Sequence, residues 1–207
     1  MFNEKDKKLL HRFLKTRRTI RKFLDRPVPK ETIAKIIETA TWAPSAHNRQ
    51  PWFFVVITNS TTKRRLAEEM AKKYMADLKA DGFPSRLIKS RVASSIKRIT
   101  SAPVVIVPCL VKSLLDKYPD DERNMAEYIM GVQSVAAAIQ TLLLAAYAEG
   151  LGTCWRCAPL FTKEIVRRVL SLPEDYEPQA LIEMGYYKKR PVAPERKPLE
   201  EIIRWIE

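Results

Sequence analysis

The 207-residue sequence predicts a mixed fold of helices and strands in one domain. Helical apolar repeats alternate with short runs rich in β-branched and aromatic residues, which are typical of buried strands. The length is that of a single domain, and a chain of this size can bury roughly 70% of its unfolded surface. We therefore expect residues 1–207 to form one domain with a sizeable core.

Helical patterns open the chain. The apolar residues within 4–16 share one helical face, which predicts an amphipathic helix docked on the core. They are Leu9, Leu10, Phe13 and Leu14. A second helical pattern should end near Trp42, because Pro44 disfavours helical backbone at Ala43. Residues 52–58 then form an aromatic and β-branched run that predicts a buried strand.

Two more helices and a second strand come next. Apolar residues recur every four positions in 60–82, and residues 85–100 are helical in pattern but strongly basic. Residues 103–111 form another buried-strand pattern. Pro108 within it predicts a bulge or an edge position, because proline cannot donate a hydrogen bond to a neighbouring strand.

The longest helical pattern spans residues 122–149. From 135 to 148 nearly every residue is apolar, so little of this helix can face water. The continuous apolar run is shorter than the roughly 20 residues of a membrane span. We expect burial in the domain or at a subunit interface, which favours a homodimer with this helix near the contact.

The last quarter predicts a turn over 153–158, a short helix over 162–170 and a third strand over 179–186. A tail rich in proline, lysine and arginine begins at Lys188. Its apolar stripe over 199–205 predicts docking rather than fraying.

Composition narrows the possible partners. The formal charge of +13 arises from 37 Lys and Arg against 24 Asp and Glu. Such a charge is typical of proteins that bind nucleic acid, membrane surfaces or anionic small molecules. The basic residues are spread along helices and none of the common nucleic-acid-binding motifs occurs, so we expect no nucleic acid and no membrane partner. The charged start MFNEKDKKLL lacks the apolar segment of a signal peptide, and we expect a cytoplasmic protein.

The three cysteines are too few for a disulfide scaffold. Cys154 and Cys157 form a C-x-x-C motif. A structural zinc site needs four ligands, and the third cysteine, Cys109, and the two histidines are scattered, so we expect no metal. A thioredoxin-like motif would open a helix after an early strand, which is not the pattern here. Whether the pair is redox-active stays open.

A dense set of hydrogen-bond donors follows the first helix. Arg17, Arg18, Thr19 and Arg21 suit a phosphate, because guanidinium groups bind phosphate oxygens bidentately. In an extended segment, Arg17, Thr19 and Arg21 point to one side and Arg18 to the other. The alternative is a solvated basic stretch that caps the helix C-terminus. The chain has no GxGxxG or Walker loop, so side chains would have to hold any phosphate.

A second polar segment joins the helix ending near Trp42 to the first strand. It contains Ser45, His47, Asn48, Arg49 and Gln50. Held between two core elements, such a loop can present donors to a ligand. The alternative is a polar turn stiffened by two prolines.

Four segments in order resemble the flavin-dependent nitroreductase family. They are RRTIRKF, then APSxxNxQPW followed by an apolar strand, then GLGTCW at 150–155, and finally ALIEMGYYKKRPVAPERKPLEEII. Together they cover nearly the whole chain, and their agreement in order makes the resemblance specific.

The resemblance implies an α+β fold, with a central, mostly antiparallel sheet flanked by helices. It also implies an intertwined homodimer with exchange of the C-terminal tail, and FMN at two sites lined by both subunits. By analogy, Arg17 and Thr19 would bind the FMN phosphate and Arg21 the O2 and N1 edge of the ring, with Arg18 in support. A tail arginine, Arg196, would complete the phosphate site beside Lys197.

Other residues match the family at the flavin ring. The loop would reach the partner's flavin, and the end of GLGTCW would lie near N5. The corresponding residues are Pro44, Ser45, Ala46, Asn48 and Gln50 in the loop, and Trp155, Arg156 and Cys157 after the helix. The family commonly has small, glycine-like residues where this chain has Arg156 to Pro159, so the N5 contact stays open. Pro194 also replaces a lysine often found before the phosphate arginine.

The resulting hypothesis is an FMN-dependent oxidoreductase. It would take hydride from NADH or NADPH through flavin N5 and pass it to a planar acceptor, such as a nitroaromatic or a quinone. The flavin performs this chemistry, so we expect no dedicated catalytic residue. Two alternatives remain: the same fold with a deazaflavin coenzyme as reductant, or a non-catalytic basic protein that binds nucleic acid or acts as a scaffold.

Overall fold

The structure is a computed structural model that describes residues 2–207. It contains six α-helices and five strands in that part of the chain. The helices are α1 (Glu4–Thr16), α2 (Lys30–Ala40), α3 (Ser60–Ala80), α4 (Ser85–Ser101), α5 (Asp121–Ala148) and α6 (Lys163–Leu170). The strands are β1 (Trp52–Ile57), β2 (Val104–Val111), β3 (Gly152–Arg156), β4 (Tyr176–Pro178) and β5 (Leu181–Gly185).

The strands form one antiparallel sheet in the order β1-β2-β5-β3, and β4 also pairs with β2. The predicted mostly antiparallel α+β architecture is confirmed. The turn predicted over 153–158 is wrong, since Gly152–Arg156 forms β3 and pairs with β5. The run is short and ends in a charged residue, so its apolar pattern is weak. Arg156 belongs in the strand because its side chain pairs with buried Glu183.

Pro108 lies in a central strand rather than at an edge. Between the pairs Ile106↔Ile182 and Cys109↔Pro178, the chain advances three residues on β2 and four on its partner side. One extra residue opposite a strand is a β-bulge, and here the bulge lies in the segment between β4 and β5, opposite Pro108, while β2 itself pairs regularly with β1. The predicted edge position of Pro108 is wrong. The Pro108 carbonyl accepts a hydrogen bond from the backbone amide of Gln179 at 2.9 Å.

Helices cover both faces of the sheet because successive strand side chains point in opposite directions. Val104 and Ile106 face the core formed with α2 and α5. Val105 and Val107 face a second core formed with α3, α4 and α6. The central strands are therefore buried on both sides, which explains their almost uninterrupted apolar sequence.

Helix α5 is long and apolar enough to cross a membrane by length and composition. In this fold it is a core helix, in which Val135, Ile139 and Leu142 are buried against the sheet and α2. Its N-terminal half is more open, and Met125 and Ile129 are exposed.

Two apolar surfaces remain uncovered. Helix α1 has no buried residue, and Leu9 is 65% exposed. Phe13 stacks on Tyr147 of α5 at 5.0 Å between ring centroids, so the predicted docking of α1 holds for Phe13 rather than for the whole apolar face. The tail stripe from Leu199 to Trp205 is exposed as well, so this part of the tail does not dock on its own chain.

Candidate functional site

The segment after α1 extends the sheet beyond β3. Thr19 forms a parallel bridge with Thr153, and the Ile20 amide donates to the Thr153 carbonyl at 2.9 Å. Ile20 is buried over Gly152, where an added methyl group would lie 2.5 Å from Ile20 Cγ1. Only glycine permits so close an approach. We call residues 17–21, together with Arg196, the arginine edge.

The arginine edge carries positive charge without a counterion. Partial burial lowers the pKa of Arg17, and the positive charges of Arg18 and Arg196 lower it further. Within residues 2–207, none of Arg17, Arg21 and Arg196 forms a salt bridge to a carboxylate. Like charges gathered in this way repel each other, and an anion between them would relieve the repulsion through charge-assisted hydrogen bonds.

Arg18 has a different role from its neighbours. Its Nη1 donates to the Lys15 and Arg17 carbonyls, both at 2.7 Å. Arg18 therefore caps the C-terminal end of α1, as the alternative interpretation of the basic stretch proposed. Its Nε is buried and has no hydrogen-bond partner in the part of the chain that the structure describes.

A cleft of about 640 Å³ adjoins the arginine edge. Thr19 to Leu24 line one side and Lys188 to Val192 line the other. Arg190 fastens the tail here, because its Nη1 donates to the Thr16 carbonyl at 3.4 Å and to the Tyr147 hydroxyl at 3.3 Å. These tail residues were not predicted as part of the site, although their basic composition was the available signal.

A second cleft, of about 550 Å³, lies at the end of β3. The predicted residues Trp155, Arg156 and Cys157 line it, together with Tyr74 and Arg98 from α3 and α4. The last two were missed, because their helical spacing resembles that of ordinary core and surface positions. The structure thus brings the end of GLGTCW to a cleft at the same sheet edge as Thr19.

The C-x-x-C cysteines differ in environment. Cys154 is buried and Cys157 is exposed. Burial, followed by the negative charge of Glu183, raises the pKa of the Cys154 thiol. A raised pKa disfavours the reactive thiolate. Glu183 is itself fully buried, and its Oε1 accepts from Arg156 Nε at 2.6 Å.

The loop between α2 and β1 is held by its own hydrogen bonds. Ser45 Oγ accepts a hydrogen bond from the backbone amide of Gln50 at 3.0 Å. The backbone amide of Ala46 donates a hydrogen bond to Ser134 Oγ of α5 at 3.1 Å. His47, Asn48 and Gln50 have left-handed backbones, with φ of 50°, 52° and 50°. Residues other than glycine rarely adopt this conformation, so the loop is under strain that the fold must oppose.

Parts of the loop stay free for other contacts. Pro44 and Asn48 are exposed, and no intramolecular hydrogen bond involves the Asn48 side chain in the described part of the chain. Ser134, which holds the loop to α5, was not identified from the sequence. Its only signal was a polar residue within an apolar helical run.

The loop and the arginine edge lie far apart in one chain. β1 and β3 are opposite edges of the sheet, three strand spacings or roughly 14 Å apart. They also meet opposite ends of β2: Trp52 pairs with Leu110, while Thr153 aligns through Met184 with Val104. Six residues of strand add roughly 20 Å along that direction. A single chain therefore does not bring the two predicted groups of site residues together.

Comparison with known proteins settles the relationship that the motifs indicated. The model of the nitroreductase family matches residues 14–186. The chain belongs to the nitroreductase family. A relative from Methanothermobacter thermautotrophicus, described as a putative NADH dehydrogenase/NAD(P)H nitroreductase, is 34% identical over 180 residues. The alignment covers 86% of this chain and 77% of the relative.

Solved structures confirm the nitroreductase fold. A BluB-like flavoprotein from Clostridium difficile 630 superposes with a TM-score of 0.78 at 26% identity, covering 96% of this chain and 99% of the other. An FMN-dependent nitroreductase from Clostridium difficile R20291 gives a TM-score of 0.62 at 24% identity, covering 88% and 90%. The resemblance inferred from the four motifs is confirmed, and with it the assignment of this nitroreductase-family chain as an oxidoreductase.

Proposed function

We propose that this nitroreductase-family protein is an FMN-dependent enzyme. It would transfer hydride from NADH or NADPH to a planar acceptor, such as a nitroaromatic or a quinone. The observation that carries the proposal is the arginine edge, where three arginines have no carboxylate partner within residues 2–207 and one of them, Arg21, lines a cleft. FMN, when bound, supplies hydride transfer at its N5 atom between the nicotinamide and the acceptor.

The residues present suit this cofactor. Arg17, Thr19 and Arg196 would hold its phosphate, which needs several donors and positive charge. The lowered pKa of Arg17, caused first by burial and then by the like charges of Arg18 and Arg196, indicates a place prepared for an anion. A cleft of about 640 Å³ lies within the size range of small-molecule sites. The names of two structural relatives, a flavoprotein and an FMN-dependent nitroreductase, support the same cofactor.

Two more groups would act on the ring. Arg21 borders the same cleft as Thr19 and would place a positive charge beside the ring edge, where it favours the reduced and more negative form. Trp155 to Cys157 would lie against the other part of the ring. Arg156 is already engaged by Glu183, so its guanidinium is fixed in orientation rather than free to follow a ligand.

The loop supports a site built from two chains. Ser45, Ala46 and Gln50 maintain the loop through hydrogen bonds and left-handed backbone, while Pro44 and Asn48 are exposed. Because the loop is too far from the arginine edge of its own chain, we propose that it covers the arginine edge of a second copy. The exposed apolar faces of α1, of the N-terminal half of α5 and of the tail would be buried in this homodimer.

The tail divides into two parts in this proposal. Residues up to Arg196 stay with their own arginine edge, because Arg190 and Arg196 already lie there. The apolar stripe after Pro198 would be exchanged between subunits.

The absorption spectrum of the purified protein tests the proposal. We expect the yellow colour of oxidised flavin, release of FMN on denaturation, and anaerobic bleaching by NADH or NADPH. Size-exclusion chromatography should give a dimer. A protein that is colourless and does not bind added FMN would overturn the proposal. Bleaching only by a reduced deazaflavin would keep the fold and the cofactor but replace the nicotinamide.

A further inference from the structure

Three potential metal ligands meet on the far side of the sheet from the arginine edge. His47 comes from the strained loop, Asp116 from the segment between β2 and α5, and Glu127 from α5. Their ligand atoms all lie within 4.8 Å of one another. His47 Nε2 is 3.7 Å from Glu127 Oε2.

One carboxylate oxygen of Glu127 has no hydrogen-bond partner in the described part of the chain. Its side chain is 2% exposed, although glutamate is rarely buried without one. Oε1 accepts from the Asp116 amide at 3.3 Å, while Oε2 is buried with no hydrogen-bond partner in the described part of the chain. A buried carboxylate oxygen without a donor or a cation is costly. This oxygen faces His47, the one nearby side chain that can bind a metal through nitrogen.

We propose that His47, Asp116 and Glu127 bind one divalent first-row metal ion, for which Zn²⁺ is the probe. One imidazole and two carboxylates form a nitrogen and oxygen ligand set that zinc accepts. Bonds of about 2.1 Å in a tetrahedral site place ligand atoms about 3.4 Å apart. The distance of 3.7 Å between His47 and Glu127 is already close to that value. Solvent would fill the remaining position.

Arg49 modifies this site. Its Nη2 lies 2.6 Å from Asp116 Oδ1, so one Asp116 oxygen is paired and the other remains for the ion. The positive charge of Arg49 opposes a cation, and Arg49→Gln is therefore expected to strengthen metal binding. His47 is about half exposed, which gives the ion access from solvent.

The ion would fasten the loop. It would link left-handed His47 to α5 and to the segment that leads into α5, and so oppose the local backbone strain. The site uses side chains other than those proposed to hold FMN, although His47 lies in the same loop whose Pro44 and Asn48 would cover the FMN site of a second copy.

Titration calorimetry with Zn²⁺ on the full-length protein tests the proposal, and the two histidines of the chain provide a matched pair. His47→Asn removes the imidazole, and asparagine tolerates the left-handed backbone at this position. His11→Asn on exposed α1 is the control. We expect one ion per chain for the wild type and for His11→Asn. For His47→Asn we expect at least about tenfold weaker binding, because the loss of even an outer-shell partner of a ligand typically weakens metal affinity by about 10- to 100-fold.

Two further measurements keep the result unambiguous. Co²⁺ should give visible bands without thiolate charge transfer, and Cys157→Ser should leave them unchanged. Glu127→Gln should also weaken binding, and if this buried change prevents folding, His47→Asn decides alone. Equal Zn²⁺ affinity in His47→Asn and the wild type, no binding by the wild type, or a signal that disappears in Cys157→Ser would each overturn the proposal.

Discussion

The two edges of the sheet present polar groups in opposite ways. At the arginine edge, Arg17, Arg21 and Arg196 have no carboxylate partner among the described residues, and their like charges make the region costly without an anion. At the loop edge, the Ser45 hydroxyl and the Ala46 backbone amide form hydrogen bonds within the chain. These bonds hold the strained backbone in place without a bound ligand. The difference is why we propose that an anionic ligand completes the first edge, whereas the loop backbone at the second edge is held largely by contacts within the chain.

The largest expected effect concerns the buried support beneath the arginine edge. Glu183→Ala removes the partner of Arg156 and should lower the free energy of unfolding by about 3 kcal/mol, the low end for a buried ion pair because Arg156 is partly exposed. Urea denaturation measures this. The double variant Arg156→Met/Glu183→Leu, which removes both charges, should recover most of the loss. A double variant as unstable as the single one would show that packing, not charge, holds this edge.

The next effect is on cofactor affinity. Arg17→Ala should weaken FMN binding about 10- to 100-fold, as expected for the loss of a charge-assisted hydrogen bond of about 1.5–3 kcal/mol. Arg64→Ala on α3 removes the same charge from an exposed position and should leave the dissociation constant unchanged. Titration of apoprotein by flavin fluorescence measures both. An equal loss of FMN affinity in the two variants would show that Arg17 acts only through the net charge of the protein and does not contact the cofactor.

Mixing subunits tests whether the two edges meet across a dimer. Asn48→Gly removes the exposed side chain while keeping the left-handed backbone, and should weaken FMN binding about 2- to 10-fold. In a heterodimer of Arg17→Ala with Asn48→Gly, one site would carry both defects and the other would be intact. Half of the sites should therefore bind with wild-type affinity. If both edges served one chain, no such fraction would appear.

The smallest effect belongs to Glu177 of β4, which pairs with Leu110 opposite Trp52, beside the loop edge. Burial raises its pKa, but hydrogen bonds from Lys163, Tyr128 and Gln179 outweigh burial, and the pKa lies below its usual value. This group therefore contributes stability above the unfolded-state pKa of about 4.3, and the contribution is lost as pH falls through the lower folded-state value.

Urea midpoints measured between neutral pH and acid pH should show that loss for the wild type. Glu177→Gln should remove this part of the pH dependence, and Glu174→Gln, on a nearby exposed residue, should not. An unchanged slope in Glu177→Gln would assign the acid sensitivity to other carboxylates. The partial exposure of Lys163 keeps the effect small.

The sequence predicted the elements with the strongest apolar patterns. β2 was found because burial on two faces leaves no charged position in it, and α5 because its C-terminal half is largely apolar and buried. β1 was found from its aromatic and β-branched residues, but Phe53 and Val56 are exposed, so the predicted burial of this edge strand is wrong in part. β3 was missed because Arg156 is charged and yet buried in part by its pair with Glu183, a residue 27 positions away. β4 has three residues, too few for any period to be visible.

The site was predicted in parts rather than as an arrangement. Motif residues at both edges were identified, but their separation depends on strand order, which no local pattern encodes. The left-handed backbone of His47, Asn48 and Gln50 was also invisible, since none of them is glycine. Arg18 shows that neighbours in one motif can differ in role, because its capping of α1 depends on where the helix ends.

The close fit of Ile20 over Gly152 has a consequence for solubility. An outermost strand exposes a row of amide and carbonyl groups that can recruit a foreign chain, and proteins commonly shield such borders. In this molecule the stretch proposed to hold the phosphate is also the shield for β3, through the Thr19 bridge and the Ile20 amide. Any side chain larger than hydrogen at position 152 would lift that shield and leave β3 open to aggregation.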